Sequence, residues 1–127
     1  MPHTRRILLI LTTVLVWNGT SLAQQQQVDS LMRLLSTTYA SKSGLADTAR
    51  IPLLTQTSEL LLRIDPAKSL INSKEALRLS ILMNYNEQLS HIYNNIGSAN
   101  RLQGDYTKAL SFHNKALEND RKKGNRQ

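Results

Sequence analysis

From Val28 onward the apolar residues recur at helical spacing. Val28, Leu31, Met32, Leu35 and Tyr39 fall at i, i+3, i+4, i+7 and i+11, one face of a leading helix over residues 28–40. Ser41-Lys42-Ser43-Gly44 reads as a loop. Asp47 or Thr48 can cap a second helix that reaches about Arg63. Pro52 lies in its first turns and leaves two starts open, Thr48 or Pro52 itself. Asp65-Pro66 is a strong start for a third helix, with the carboxylate as N-cap and proline at the first helical position. That helix carries Leu70, Ala76, Leu77, Leu79 and Leu82 and fades near Asn84. A fourth helix covers about Glu87 to Gln103, and Gly104 supplies its left-handed cap. Asp105 caps a fifth helix, from Tyr106 to about Lys122, ending at Gly124. No stretch alternates with period two long enough to make a strand, so the expected class is all-α.

The third and fifth helices repeat one another. Asp65-Pro66-Ala67-Lys68-Ser69-Leu70 matches Asp105-Tyr106-Thr107-Lys108-Ala109-Leu110, and Ala76-Leu77 matches Ala116-Leu117, at a shift of 40 residues. The preceding helices are less alike: the same shift sets Leu53 on Tyr93, Gln56 on Ile96 and Leu61 on Arg101. A period of this length built from helix pairs signals an α-solenoid of antiparallel hairpins. The expected layout is a degenerate pair over 48–83 and a clear pair over 87–122.

Tyr93-Asn94-Asn95-Ile96-Gly97-Ser98-Ala99-Asn100, then Gly104-Asp105-Tyr106, Ala109 and Ala116-Leu117, resembles a tetratricopeptide repeat. The resemblance implies a non-catalytic, protein-binding array. It implies that Gly97 lets the paired helix come close and that Ala109 and Ala116 stand where helices cross. Tyr93, Ile96 and Tyr106 would fill the space between them. The sequence departs from the pattern at Asn100, where Tyr is usual, at His113, where a large aromatic is usual, and at Arg121, where Pro is usual. In the earlier copy Thr57 replaces the glycine, and Ser69 and Ser73 replace the alanine and the aromatic. The 40-residue spacing is also similar to repeat arrays found ahead of bacterial sensor histidine kinases. So are the openings Val28-Asp29-Ser30-Leu31 and Asp47-Thr48-Ala49-Arg50. This implies an alternative role as the sensory front end of such a signalling protein.

Charge changes the picture only at the ends. The chain of 127 residues carries a formal net charge of +7. Bases and acids nearly cancel between residues 24 and 120. The excess comes from Arg5 and Arg6 at one end and Arg121, Lys122, Lys123 and Arg126 at the other. Residues 1–23 read as a secretory signal peptide. A basic start precedes the apolar stretch Ile7–Trp17, Asn18-Gly19-Thr20 breaks the helix, and Ser21-Leu22-Ala23 fits a cleavage site after Ala23. The apolar stretch is shorter than the ~20 residues of a membrane span. Residues 24–27, all glutamine, are expected to be an unstructured spacer, and residues 123–127 a basic tail. The expected destination is the periplasm or cell envelope, or alternatively the periplasmic part of an inner-membrane protein.

Candidate chemistry is sparse. The chain has no Cys, and His91 and His113 lie on different helices without a nearby acidic cluster, so neither a metal nor a cofactor is expected. No catalytic constellation is present, and an enzyme is not expected. The basic tail suits a helix C-terminus better than nucleic acid. One face of the fourth helix remains. His91, Asn94, Ser98 and Arg101 follow i, i+3, i+7 and i+10 and form one polar stripe, the candidate groove for a protein or peptide segment.

The last helix has no capping neighbour in the sequence, yet carries Leu110, Phe112 and Leu117. The array is therefore expected to be short or truncated, melting low or broadly or self-associating through that helix.

Overall fold

The computed structural model describes residues 22–36 and 47–125. They form five helices: α1 (22–36), α2 (Asp47–Leu61), α3 (Pro66–Leu82), α4 (Leu89–Leu102) and α5 (Tyr106–Gly124). There is no strand among the described residues. α2 packs on α3, α3 on α4 and α4 on α5, with a lesser contact between α2 and α4. This is the all-α helical-repeat architecture that the periodicity predicts.

Local chemistry explains most of the helix boundaries. The Asp65 and Asp105 carboxylates each accept the backbone N–H three residues on, from Lys68 and Lys108, both at 3.1 Å. This satisfies an orphan donor at the starts of α3 and α5. α4 ends in a Schellman motif: Gly104 has φ 85°, its N–H bonds the Arg101 carbonyl, and the Asp105 N–H bonds the Asn100 carbonyl. α3 ends the same way, with Asn84 at φ 53° and the Tyr85 N–H on the Ser80 carbonyl. α2 starts at Asp47, ahead of both expected starts, and carries Pro52 inside it. The missing proline N–H would have met the carbonyl of Thr48, in the first turn.

The N-terminal part differs from expectation. Gln24 to Gln27 are not an unstructured spacer: they are helical, within α1. Gln is a good helix former, and Gln25 Nε2 donates to Asp29 Oδ1 one turn on, at 2.9 Å. Val28, Leu31 and Leu35 turn inward, whereas Met32 is exposed. Leu22, Gln24 and Gln25 line a cleft with Arg63 and Ile64, which sets the start of α1 beside the end of α2. The proposed leader up to Ser21 and the expected Tyr39 position lie outside the described residues.

Ile51 and Leu54 of α2, Ala76 and Leu79 of α3, and Ile92 and Ile96 of α4 form the core. Much of what surrounds them is small and hydroxylic: Thr55, Thr57, Ser58, Ser69, Ser73 and Ser80 are all buried. Thr55 Oγ1 and Thr57 Oγ1 donate to the carbonyls of Ile51 and Leu53 in their own helix, at 2.8 and 2.7 Å. Their polarity is thus neutralised within α2. Ser69 Oγ reaches from α3 to the Ser58 carbonyl of α2 at 2.6 Å, a contact open only to a small side chain. The earlier repeat is degenerate in sequence, but Thr57 and Ser69 occupy their small-residue positions fully buried.

Candidate functional site

α4 and α5 form the best-matched hairpin. Ile92, Ile96 and Ala99 of α4 are inaccessible to solvent, and Ala109 and Ala116 of α5 are buried against that hairpin partner. Gly97 is buried, with the His113 ring over it. Tyr93 is half-buried and tilted against Phe112, ring centroids 6.2 Å apart. Lys115 Nζ lies over the Phe112 ring, 4.9 Å from its centroid. At the open end of the hairpin, Ser90 Oγ bonds the Asp120 carboxylate and accepts from Asn119 Nδ2, and Lys123 Nζ donates to the Glu87 carbonyl. Cations of the last turn thus serve the structure as well as the helix dipole.

One expected packing residue does not pack. Tyr106 is 70% exposed and fills no space between helices. It is the first residue of α5 and stands in solvent at the start of that helix. Its counterpart Pro66 begins α3 and lies under the end of α4, where Gln103 Nε2 reaches the Pro66 carbonyl at 3.3 Å.

The predicted stripe lies on the open side of α4. His91, Asn94 and Arg101 are exposed and Ser98 is half-buried. The neighbours between them in sequence, Ile92, Asn95, Ile96, Ala99 and Asn100, are buried, so this is the free arc of the helix. Asn94 is already engaged: its Oδ1 stands 3.1 Å from His113 Nδ1, which ties the stripe to α5. The stripe does not continue onto α2. The positions 40 residues earlier are Ile51, Leu54, Ser58 and Leu61, all buried. The candidate surface is therefore one helix face bordered by the His113 edge of α5.

A residue not singled out from sequence holds this face in place. Asn95 is buried and its Nδ2 donates to the Thr55 carbonyl at 3.1 Å and to Ser58 Oγ at 2.9 Å, both on α2. The signal was an amide residue flanked by core positions, but its partners lie some 40 residues away.

Chemically, the stripe offers an imidazole, an amide, a hydroxyl and one cation, and it contains no carboxylate. Among the described residues no group of three or more His, Cys, Asp or Glu could hold a metal ion. No helix among them is long and apolar enough to cross a membrane.

The family model described as tetratricopeptide repeat matches residues 61–122, a segment that takes in α3, α4 and all of α5 but its last two residues. The match supports the tetratricopeptide-repeat family, whose members are typically non-catalytic scaffolds for protein interaction. No curated protein and no solved structure matches the chain.

Proposed function

We propose that the chain is an exported scaffold module that captures a segment of another protein on the open face of α4. The observation that carries this reading is the stripe itself. His91, Asn94 and Arg101 present three polar side chains to solvent along a helix whose other sides are committed to packing. Arg101 is the charged member, and it forms no ion pair among the described residues. An exposed, unpaired guanidinium beside amide and imidazole donors favours a segment rich in carboxylates or backbone carbonyls. Export rests on the basic, apolar and small-residue succession of residues 1–23.

Selection of displayed peptides on the immobilised chain tests the reading. Peptides enriched in Asp or Glu are expected. Arg101→Ala should weaken their capture about tenfold or more with unchanged helicity, since hydrogen bonds to charged groups contribute roughly 1.5–3 kcal/mol. Selected peptides that bind the triple variant His91→Ala, Asn94→Ala, Arg101→Ala as tightly as the parent would move the site elsewhere.

The 40-residue repeat spacing favours a second reading, in which the same module is the sensory front of a membrane signalling kinase. A transmembrane segment and a kinase domain in the same reading frame downstream of Gln127 would select it.

A further inference from the structure

Cleavage after Ala23 makes Gln24 the first residue of the mature chain. Gln24 is half-buried in α1 and lines a cleft with Gln25, Arg63 and Ile64. Its side-chain amide makes no hydrogen bond among the described residues, whereas that of Gln25 is committed to Asp29. One turn on, Val28 is the first apolar residue of α1 to be buried, at 4% exposure. The mature end therefore lies a single turn from an anchor of the fold.

Freed of residues 1–23, Gln24 carries an α-amine. Its protonated form puts a second cation on the wall of the cleft that Arg63 lines, and Arg63 forms no ion pair among the described residues. No carboxylate lines that cleft. The ammonium also stands at the positive end of the α1 dipole. A neighbouring like charge and the dipole both favour the neutral amine, which is the nucleophilic form. The first backbone nitrogen of a helix has no intrahelical carbonyl partner, so drawing it into a ring breaks no helix bond. Glutamine has the chain length for that ring: its α-nitrogen and its own side-chain carbonyl carbon close a five-membered lactam.

We propose that Gln24 is a modification site, closed to pyroglutamate in the mature chain. The neutral α-nitrogen adds to Cδ, the N–Cδ bond forms and the Cδ–Nε2 bond breaks. The side-chain nitrogen leaves as ammonia, taking the proton that the α-nitrogen gives up. No oxidant, reductant or co-reactant takes part. The product has one positive charge fewer beside Arg63 and no free α-amine. Aminopeptidases hold their substrates by that amine, so the closed ring protects the turn between Gln24 and Val28 and with it the seat of α1. Cyclisation rests on the export reading, since cleavage after Ala23 is what frees this nitrogen. It goes beyond the peptide-capture reading and uses no residue of the α4 stripe.

Intact mass and stepwise amino-terminal degradation of the protein, freshly isolated from the envelope of its native cells, test the proposal. The mature form should span residues 24–127. It should be lighter than that unmodified sequence by one ammonia, about 17 Da. Stepwise degradation should be blocked at the first residue and should read from Gln25 once a pyroglutamyl peptidase has removed the ring. Gln24→Asn cannot close without a strained four-membered ring, so this variant should keep its full mass and degrade from its first residue. A mature chain that begins at Gln24 with full mass and a free amine overturns cyclisation and leaves export standing. A chain that keeps residues 1–23, or begins at any other residue, overturns cleavage after Ala23 and cyclisation with it. A loss of ammonia that persists in Gln24→Asn places the chemistry at another residue and also overturns the proposal.

Discussion

The His113 imidazole occupies the space that a side chain at Gly97 would need. A Cβ on Gly97 would stand 2.9 Å from both Cε1 and Nε2 of that ring, closer than carbon atoms come in ordinary packing. In the same position the ring keeps its Nδ1 against Asn94 Oδ1. Gly97→Ala therefore sets two effects against each other. Helix propensity favours alanine by about 1 kcal/mol, but the ring must swing out and give up its bond to Asn94. In the parent the substitution is expected to bring no gain. In a His113→Ala background, where the space is free, it should stabilise by roughly the full propensity term. Gly97→Leu should cost about 1–3 kcal/mol in the parent through overpacking. Denaturant melts of the four-member cycle of Gly97→Ala and His113→Ala measure the coupling directly, and additive effects would mean that the ring does not lie over Gly97.

The two aspartate caps make stability depend on acid. The backbone N–H of Lys68, with its ammonium nearby, holds the Asp65 carboxyl below its ordinary value of 3.8. The Lys108 side chain first, then its backbone N–H, does the same for Asp105. Groups depressed in the folded state stabilise it fully above their unfolded value and lose that contribution as pH falls through the folded one. The melting temperature should hold from pH 7 to about 5, then fall on further acidification. Asn caps helices as well as Asp but does not titrate. The double variant Asp65→Asn, Asp105→Asn should melt near the parent at pH 7 and show a shallower fall toward pH 3. Thermal melts across that range check it, and an equally steep fall in the variant would place the acid sensitivity in other carboxylates.

What could be read from the residues follows how local each interaction is. The starts of α3 and α5 were legible because Asp65 and Asp105 act on their own first turns. The exposed arc of α4 was legible because a helix of fixed period exposes residues at fixed intervals. Gly97, Ala109 and Ala116 were legible through the resemblance to the tetratricopeptide pattern, which sets small residues where helices come close. Tyr106 was not, because its burial depends on a neighbouring helix rather than on its own identity. The helical state of Gln24 to Gln27 was hidden by low complexity: four identical polar residues have no apolar period to read, yet their backbone joins α1 without strain. Nor was the closing of the groove on α2 anticipated, where Ile51, Leu54 and Leu61 enter the core in place of a second polar stripe.

Asn95 fixes α4 against α2 through donors alone. Its amide gives hydrogens to the Thr55 carbonyl and to Ser58 Oγ within a buried contact. Asn95→Asp keeps the shape but points a carboxylate at a carbonyl oxygen. Burial without a compensating donor raises the carboxyl above its usual range, so the variant is least stable at neutral pH and recovers as it protonates on acidification. Asn95→Ala should cost about 1–3 kcal/mol at every pH, from lost bonds and an unfilled space. Urea midpoints at pH 7 and pH 4.5 separate the two. If Asn95→Asp matched Asn95→Ala in its pH response, the amide would not be directed at these acceptors.

Three buried serines of α3 differ only in whether the hydroxyl has somewhere to donate. Ser69 Oγ reaches the Ser58 carbonyl at 2.6 Å. Ser73 Oγ and Ser80 Oγ are equally inaccessible and have no hydrogen-bond partner among the described residues. Replacing any of the three by alanine removes one oxygen and gains helix propensity, so the shared gain cancels between them. The remaining difference is the fate of the hydroxyl. A buried hydroxyl without a partner costs roughly 1–3 kcal/mol, while a satisfied one contributes about 0.5–1.5 kcal/mol. Ser73→Ala and Ser80→Ala should therefore raise the denaturation midpoint, and Ser69→Ala should lower it or leave it flat. The gap between Ser73→Ala and Ser69→Ala is expected to exceed about 1 kcal/mol. Should all three variants shift the midpoint alike, the Ser69–Ser58 bond would add nothing to the pairing of α2 and α3, and their close approach would rest on side-chain size alone.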